Sequence, residues 1–260
     1  MFLKVIACEI ATRELQFCAA RSKNLVDLEF LPQGHHDTPA TGREEVQSRI
    51  NSVPEEKYDA VVLGYGLCSR ILVGLRTRHT CLVIPRAHDC ISFFLGSKER
   101  YERRFLERPG TYYYTSGWLE CATRRGAKGS IWTGVSLPAN SGLNLKETYE
   151  EWARKFGEDQ ARYLLEESTR WMRSYTHGCL IDFDFLQHLD LDRAAQQICS
   201  EKGWTFEKIA GDLSLFQRMV DGPWPDSEFL IVHPGETITA TGDDNIVGLE
   251  QESLTTDGLG

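Results

Sequence analysis

Tyr58-Asp59-Ala60-Val61-Val62-Leu63-Gly64-Tyr65-Gly66-Leu67-Cys68 decides the fold. Tyr58 to Gly64 reads as a strand that ends in a glycine-containing turn, with a thiol just beyond it. Similar short runs lie to either side. Phe2 to Cys8 and Leu25 to Leu31 read as strands one and two, and Cys81 to Pro85 as strand four. Helical patterns at about Ile10–Ser22 and Thr41–Asn51 separate them. Short β-branched runs alternating with helices predict an α/β fold with doubly wound, mostly parallel sheets.

Further along, residues 96–108 predict a charged helix ending at Pro109-Gly110, and Thr111 to Tyr114 a strand. Residues 122–143, rich in glycine, read as a loop or flap. Leu145–Met172 reads as a long helical region interrupted at Gly157. Gly178–Ile181, Trp204–Ile209 and Phe229–Val232 predict three more strands, with a helix over Asp190–Lys202 stopped by Gly203. This gives two Rossmann-like lobes. Residues 1–110 form the first and carry the Cys/His site. Residues 111–235 form the second, and residues 236–260 an acidic mobile tail.

Charge supports that division. The 260 residues hold 29 Lys+Arg and 38 Asp+Glu, a net charge of -9. From Met219 onward there is no Lys or Arg but nine acids. Removing those nine leaves 29 acids against 29 bases, so the body is formally neutral. A broadly basic nucleic-acid binder is excluded, and the acidic end reads as an aid to solubility or a partner contact. No apolar run reaches the ~18 residues of a membrane span. Met1–Cys8 is short and soon broken by Glu9, Arg13 and Glu14, which argues against a signal peptide. With eight cysteines, reduced thiols and a cytoplasmic location are expected.

In open parallel sheets ligands bind beyond the carboxyl ends of the strands. Cys8 ends strand one, His35-His36-Asp37 follows strand two, Cys68 follows strand three, and His88-Asp89-Cys90 follows strand four. Thiolate with imidazole is a ligand set suited to zinc. The preferred set is Cys68, Cys90 and either His88 or Cys8, with Asp89 orienting an imidazole. His36 or Glu120 would move protons, with Glu9 a further candidate base. Arg70 and Arg86 could grip an anionic substrate group, and Trp118 could contact substrate. Each has a plainer reading: a thiol after a strand as core filler, the arginines and Glu120 in ion pairs. Cys18, Cys81 and Cys199 fall inside elements and read as packing residues. Cys121, Cys179 and the neighbouring His177 are intermediate. The Gly64–Cys68 turn lacks the third glycine of a dinucleotide fingerprint and the Lys-Ser/Thr of a P-loop.

Several of these residues also carry a family resemblance. Tyr65-Gly66-Leu67-Cys68, Val83-Ile84-Pro85-Arg86-Ala87-His88-Asp89-Cys90, Leu95-Gly96-Ser97 with Tyr101, Pro109-Gly110-Thr111-Tyr112-Tyr113 and Gly117-Trp118-Leu119-Glu120 resemble domain-of-unknown-function family 1638, over most of residues 2–235. Ser69-Arg70-Ile71 departs from the glycine-rich stretch expected there. The resemblance implies a prokaryotic protein associated with corrinoid-dependent one-carbon methyl transfer. It points to a corrinoid protein or methyltransferase as partner. His88-x-Cys90 with Cys68 or Cys121 is also similar in residue type to the site of zinc enzymes that methylate thiols. Three functions are therefore expected: a zinc-dependent enzyme on a small molecule, of methyltransferase type; a non-catalytic metal or corrinoid carrier; or a metal-free enzyme with a Cys68 or Cys90 nucleophile and His88 as base.

Overall fold

The computed structural model describes residues 1–33, 39–67, 70–124, 149–150, 153–154, 157–169 and 174–250. His35, His36, Cys68, most of the expected glycine-rich loop and residues 251–260 lie outside them.

The first half alternates as its apolar spacing predicts. In order come β1 (Phe2–Cys8), a 3-10 turn (Glu9–Ala11), α1 (Thr12–Arg21), β2 (Leu25–Leu31), α2 (Pro39–Ser52), β3 (Ala60–Gly64) and β4 (Leu82–Pro85). After these come α3 (Ile91–Leu95) and α4 (Lys98–Glu107). The second half holds β5 (Thr111–Tyr114), α5 (Ser116–Arg124), α6 (Glu158–Thr169), β6 (His177–Asp182), α7 (Leu191–Lys202) and β7 (Thr205–Ala210). It closes with α8 (Ser214–Asp221), β8 (Phe229–Val232), β9 (Ile238–Ala240) and β10 (Val247–Leu249).

The strands form a five-stranded sheet in the order β2-β1-β3-β4-β8 and a three-stranded sheet in the order β5-β6-β7. Within these two sheets all pairs are parallel except β4–β8, and β9 and β10 pair antiparallel as a hairpin. Every residue of β3 and β4 is buried, because both faces are covered. Leu3, Val5, Ala7, Val62 and Val83 face a core shared with Tyr114, Leu180 and Ile181 of the smaller sheet. Ile6, Val61, Leu63, Leu82 and Ile84 face a second core built with α2 and the β9–β10 hairpin.

Two expectations are corrected here. The second lobe does not run to residue 235. α8 packs on α1, where Gln217 donates to the Cys18 carbonyl at 3.3 Å, and β8 joins the first sheet beside β4. The two sheets therefore share one core, and β5–β7 form an insertion between β4 and β8. The acidic end is also structured as far as Glu250. Ile238, Ile246 and Val247 are buried; the Gly74 N–H donates to the Ile238 carbonyl and the Ile238 N–H to the Leu75 carbonyl. Their apolar spacing was masked by the acids of the turn between them, where Asp243 accepts the Asn245 N–H at 3.0 Å. No helix of the described residues is long and apolar enough to cross a membrane.

Candidate functional site

The carboxyl ends of β1, β3 and β4 lie side by side, and the turns beyond β3 and β4 are joined. The Leu67 N–H donates to the Ala87 carbonyl at 2.9 Å. A side chain at Gly66 would put its Cβ 2.7 Å from the Asp89 backbone, so only glycine lets the two turns approach this closely. The residue bearing Leu67, immediately before Cys68 in the chain, is thereby fixed against the turn that carries His88, Asp89 and Cys90.

Asp89 organises its own turn. Its carboxylate accepts the Ile91 N–H at 2.9 Å, at the start of α3, and the Tyr101 hydroxyl of α4 also reaches it. Burial pushes the Asp89 carboxyl up from its ordinary range, against the pull of Tyr101 and of the Ile91 and Ser92 N–H groups. The Tyr101 hydroxyl is raised too, by burial first and then by the adjacent carboxylate. Asp89 thus caps α3 and anchors α4, where the sequence reading had it orient an imidazole.

His88 is exposed and opens on a cleft of about 580 Å³, with Asp89, Lys98, Tyr101, Glu102 and Phe105 along it and Asp244 and Ile246 of the hairpin opposite. Positions 98, 101, 102 and 105 share one face of α4, a stripe that the charged composition of this helix concealed. Lys98 closes one end by donating to the Asp244 carbonyl at 2.8 Å. Tyr101 and the hairpin residues were missed as site residues. Tyr101 was legible through the family resemblance and through the helical spacing of α4, though not as a site residue.

Three expected site residues serve structure instead. Arg86 is 7% exposed. It donates to the Asp226 carbonyl at 2.6 Å, the Asn245 carbonyl at 3.2 Å, the Val247 carbonyl and the Asp226 carboxylate at 2.8 Å. With four of its N–H groups committed, it locks β10 onto the sheet. Glu120 is gripped by Arg13 through two bonds of 2.8 and 2.5 Å, which removes it as a ready base. Trp118 packs among aromatic side chains, 6.5 Å from Tyr112, whose ring also meets Tyr175 and Trp204. Arg70 stays exposed, with a left-handed backbone at φ 54°.

The thiols divide by depth. Cys18, Cys121, Cys179 and Cys199 are buried, while Cys8, Cys81 and Cys90 are partly accessible. Burial pushes the Cys18 and Cys179 thiols up to about 12, so both are packing residues. His177 meets the Thr176 hydroxyl at 2.8 Å, at the opposite end of its strand from the carboxyl edge. Glu9 accepts the Gln33 N–H at 2.9 Å. Among the described residues no three His, Cys, Asp or Glu side chains converge to hold a metal. Cys8, His88, Asp89 and Cys90 therefore do not make a three-ligand centre by themselves. His36 and Cys68 lie outside the described residues.

No curated protein and no solved structure matches the chain. Residues 30–220, most of its length, match the family described as a protein of unknown function, DUF1638, and the chain belongs to that family.

Proposed function

We propose that this protein is a zinc-dependent enzyme acting on a small molecule at the carboxyl edge of the five-stranded sheet, with Cys68, His88 and Cys90 as the metal-holding residues. The observation that carries this reading is the Leu67–Ala87 bond, which ties the turn leading into Cys68 to the turn bearing His88 and Cys90. The described donors alone are too few, so the reading requires Cys68. The cleft beside His88, at about 580 Å³, falls in the range that encloses a small ligand. Zinc in such a site would hold a substrate thiol as a nucleophilic thiolate near neutral pH. Asp89 and Tyr101 would keep the His88 turn rigid, and Phe105 and Ile246 would provide the apolar wall. The resemblance to a family associated with corrinoid chemistry favours methyl transfer as the reaction, with a corrinoid protein or methyltransferase as partner.

The test is metal content. Protein purified without an affinity tag should carry about one equivalent of zinc, and Cys68→Ser/Cys90→Ser less than about a tenth. Wild-type protein that stays below about a tenth of an equivalent after reconstitution would sink the reading. Bound zinc that passes to a partner without turnover would instead support a carrier. A second reading is favoured by the partial exposure of Cys90 next to His88, namely a metal-free thiol nucleophile. It predicts fast alkylation of Cys90 near neutral pH that chelators leave unchanged.

A further inference from the structure

Away from the cleft, the junction between the two sheets holds a carboxyl that nothing described so far uses. Glu14 lies on α1, which follows β1 of the larger sheet. Ser116 opens α5, which follows β5 of the smaller sheet. Glu14 is 0% exposed, and the Ser116 hydroxyl donates to its Oε1 at 2.7 Å. Its Oε2 is buried with no hydrogen-bond partner among the described residues. The contact cannot relax by small shifts, because α5 sits directly on the turn before α1. A Cβ at Gly117 would overlap the Ile10 carbonyl.

An ionised carboxylate in this position is met by the Ser116 hydroxyl and its own backbone N–H, but burial outweighs both, and leaving a buried charge so poorly solvated is costly. A protonated one leaves a neutral O–H in place of the bare charge, which costs far less to bury. The neighbouring charges do not reverse this. From α1 comes Arg13 and from α5 comes Glu120, and these two pair with each other. Cys18, one turn further along α1, stays a neutral thiol. Asp221 of α8, packed on the far part of α1, acts on Cys18.

We propose that the Glu14–Ser116 contact is a proton-operated clasp between the two sheets, holding α5 against α1 while Glu14 is protonated and loosening it when Glu14 ionises. Burial supports the operating range, since it pushes the Glu14 carboxyl up to about 7. α5 carries Trp118 and Glu120, so loosening it also frees one side of the aromatic cluster and strains the Arg13 pair.

Hydrogen exchange on the full chain tests the clasp. The readout is protection of the Leu119 amide, which bonds the Thr115 carbonyl, and of its neighbours in α5. After correction for intrinsic exchange, wild-type protection should be about tenfold lower at pH 8 than at pH 6, from a carboxyl shifted between 4.5 and about 7. Amides of β3 should change far less. Glu14→Gln should show equal protection in α5 at both pH values, and Glu14→Met, which also has no proton to lose, is the second variant if the first folds poorly. Wild-type α5 protection constant within about twofold, an equal loss over the whole molecule, or an undiminished fall in the uncharged variants would overturn the proposal.

Discussion

Glu14 and Arg86 are both buried ionisable side chains, and their different surroundings set opposite consequences for stability. For Glu14 the folded-state carboxyl is raised from 4.5 to about 7. The folded protein therefore binds the proton more tightly than the unfolded chain. Stability from this group is fully present below pH 4.5 and is lost as pH rises through about 7. Glu14→Gln should be more stable than wild type at pH 8 by about 2–3 kcal/mol, and close to it at pH 5, in urea unfolding followed at both pH values. Arg86 is the reverse case, a buried cation with every guanidinium nitrogen hydrogen-bonded. Arg86→Ala leaves the carbonyls of Asp226, Asn245 and Val247 without it. It should cost about 2–4 kcal/mol in the same measurement. Arg86→Lys should recover only part of this, since an ammonium cannot span the same fork of acceptors. A loss below about 0.5 kcal/mol would show that the clamp contributes little.

At the scale of elements, the contact between the turns after β3 and β4 is the part of the site most open to a single change. Gly66→Ala would force a methyl to within 2.7 Å of the Asp89 backbone. The turns must separate, with an expected loss of about 1–3 kcal/mol and a change in the Tyr101 ring resonances as Asp89 moves. An unchanged melting temperature and unchanged Tyr101 signals would show that the turns can part freely. Elements were well legible in the sequence. The runs Phe2–Cys8 and Leu25–Leu31 are strands over those same residues, and Gly203 ends α7 in a left-handed turn. Local spacing decides such features. Local spacing also put Cys8, Gly66 and His88 at one sheet edge. It could not reveal that Arg86 is committed to residues 140 and 161 positions away, or that Glu120 is held by Arg13, 107 positions away. Side chains spent on such distant partners look like free candidates in a sequence.

At the scale of the whole molecule, the charge imbalance changes meaning. Acids beyond Arg218 are used as partners, with Glu228 bonded to Arg218 at 2.6 Å and Asp226 to Arg86. The β9–β10 hairpin likewise covers the second core with Ile238, Ile246 and Val247. Ending the chain after Pro234 should therefore lower the melting temperature by more than about 5 °C, where loss of a true tail would leave it unchanged. The two mostly parallel sheets were legible because each of their strands could be read locally. The sharing of one core was not, because it depends on β8 turning back to pair antiparallel with β4.

That late return of β8 has a consequence for how the protein is made. During synthesis the β4 edge stays unpaired while everything between Pro85 and Phe229 is added. At about 5–20 residues per second this lasts on the order of ten seconds. Throughout that interval the nascent chain presents an apolar strand edge able to pair with a neighbour. Chaperone occupancy on the ribosome should accordingly persist until β8 has emerged.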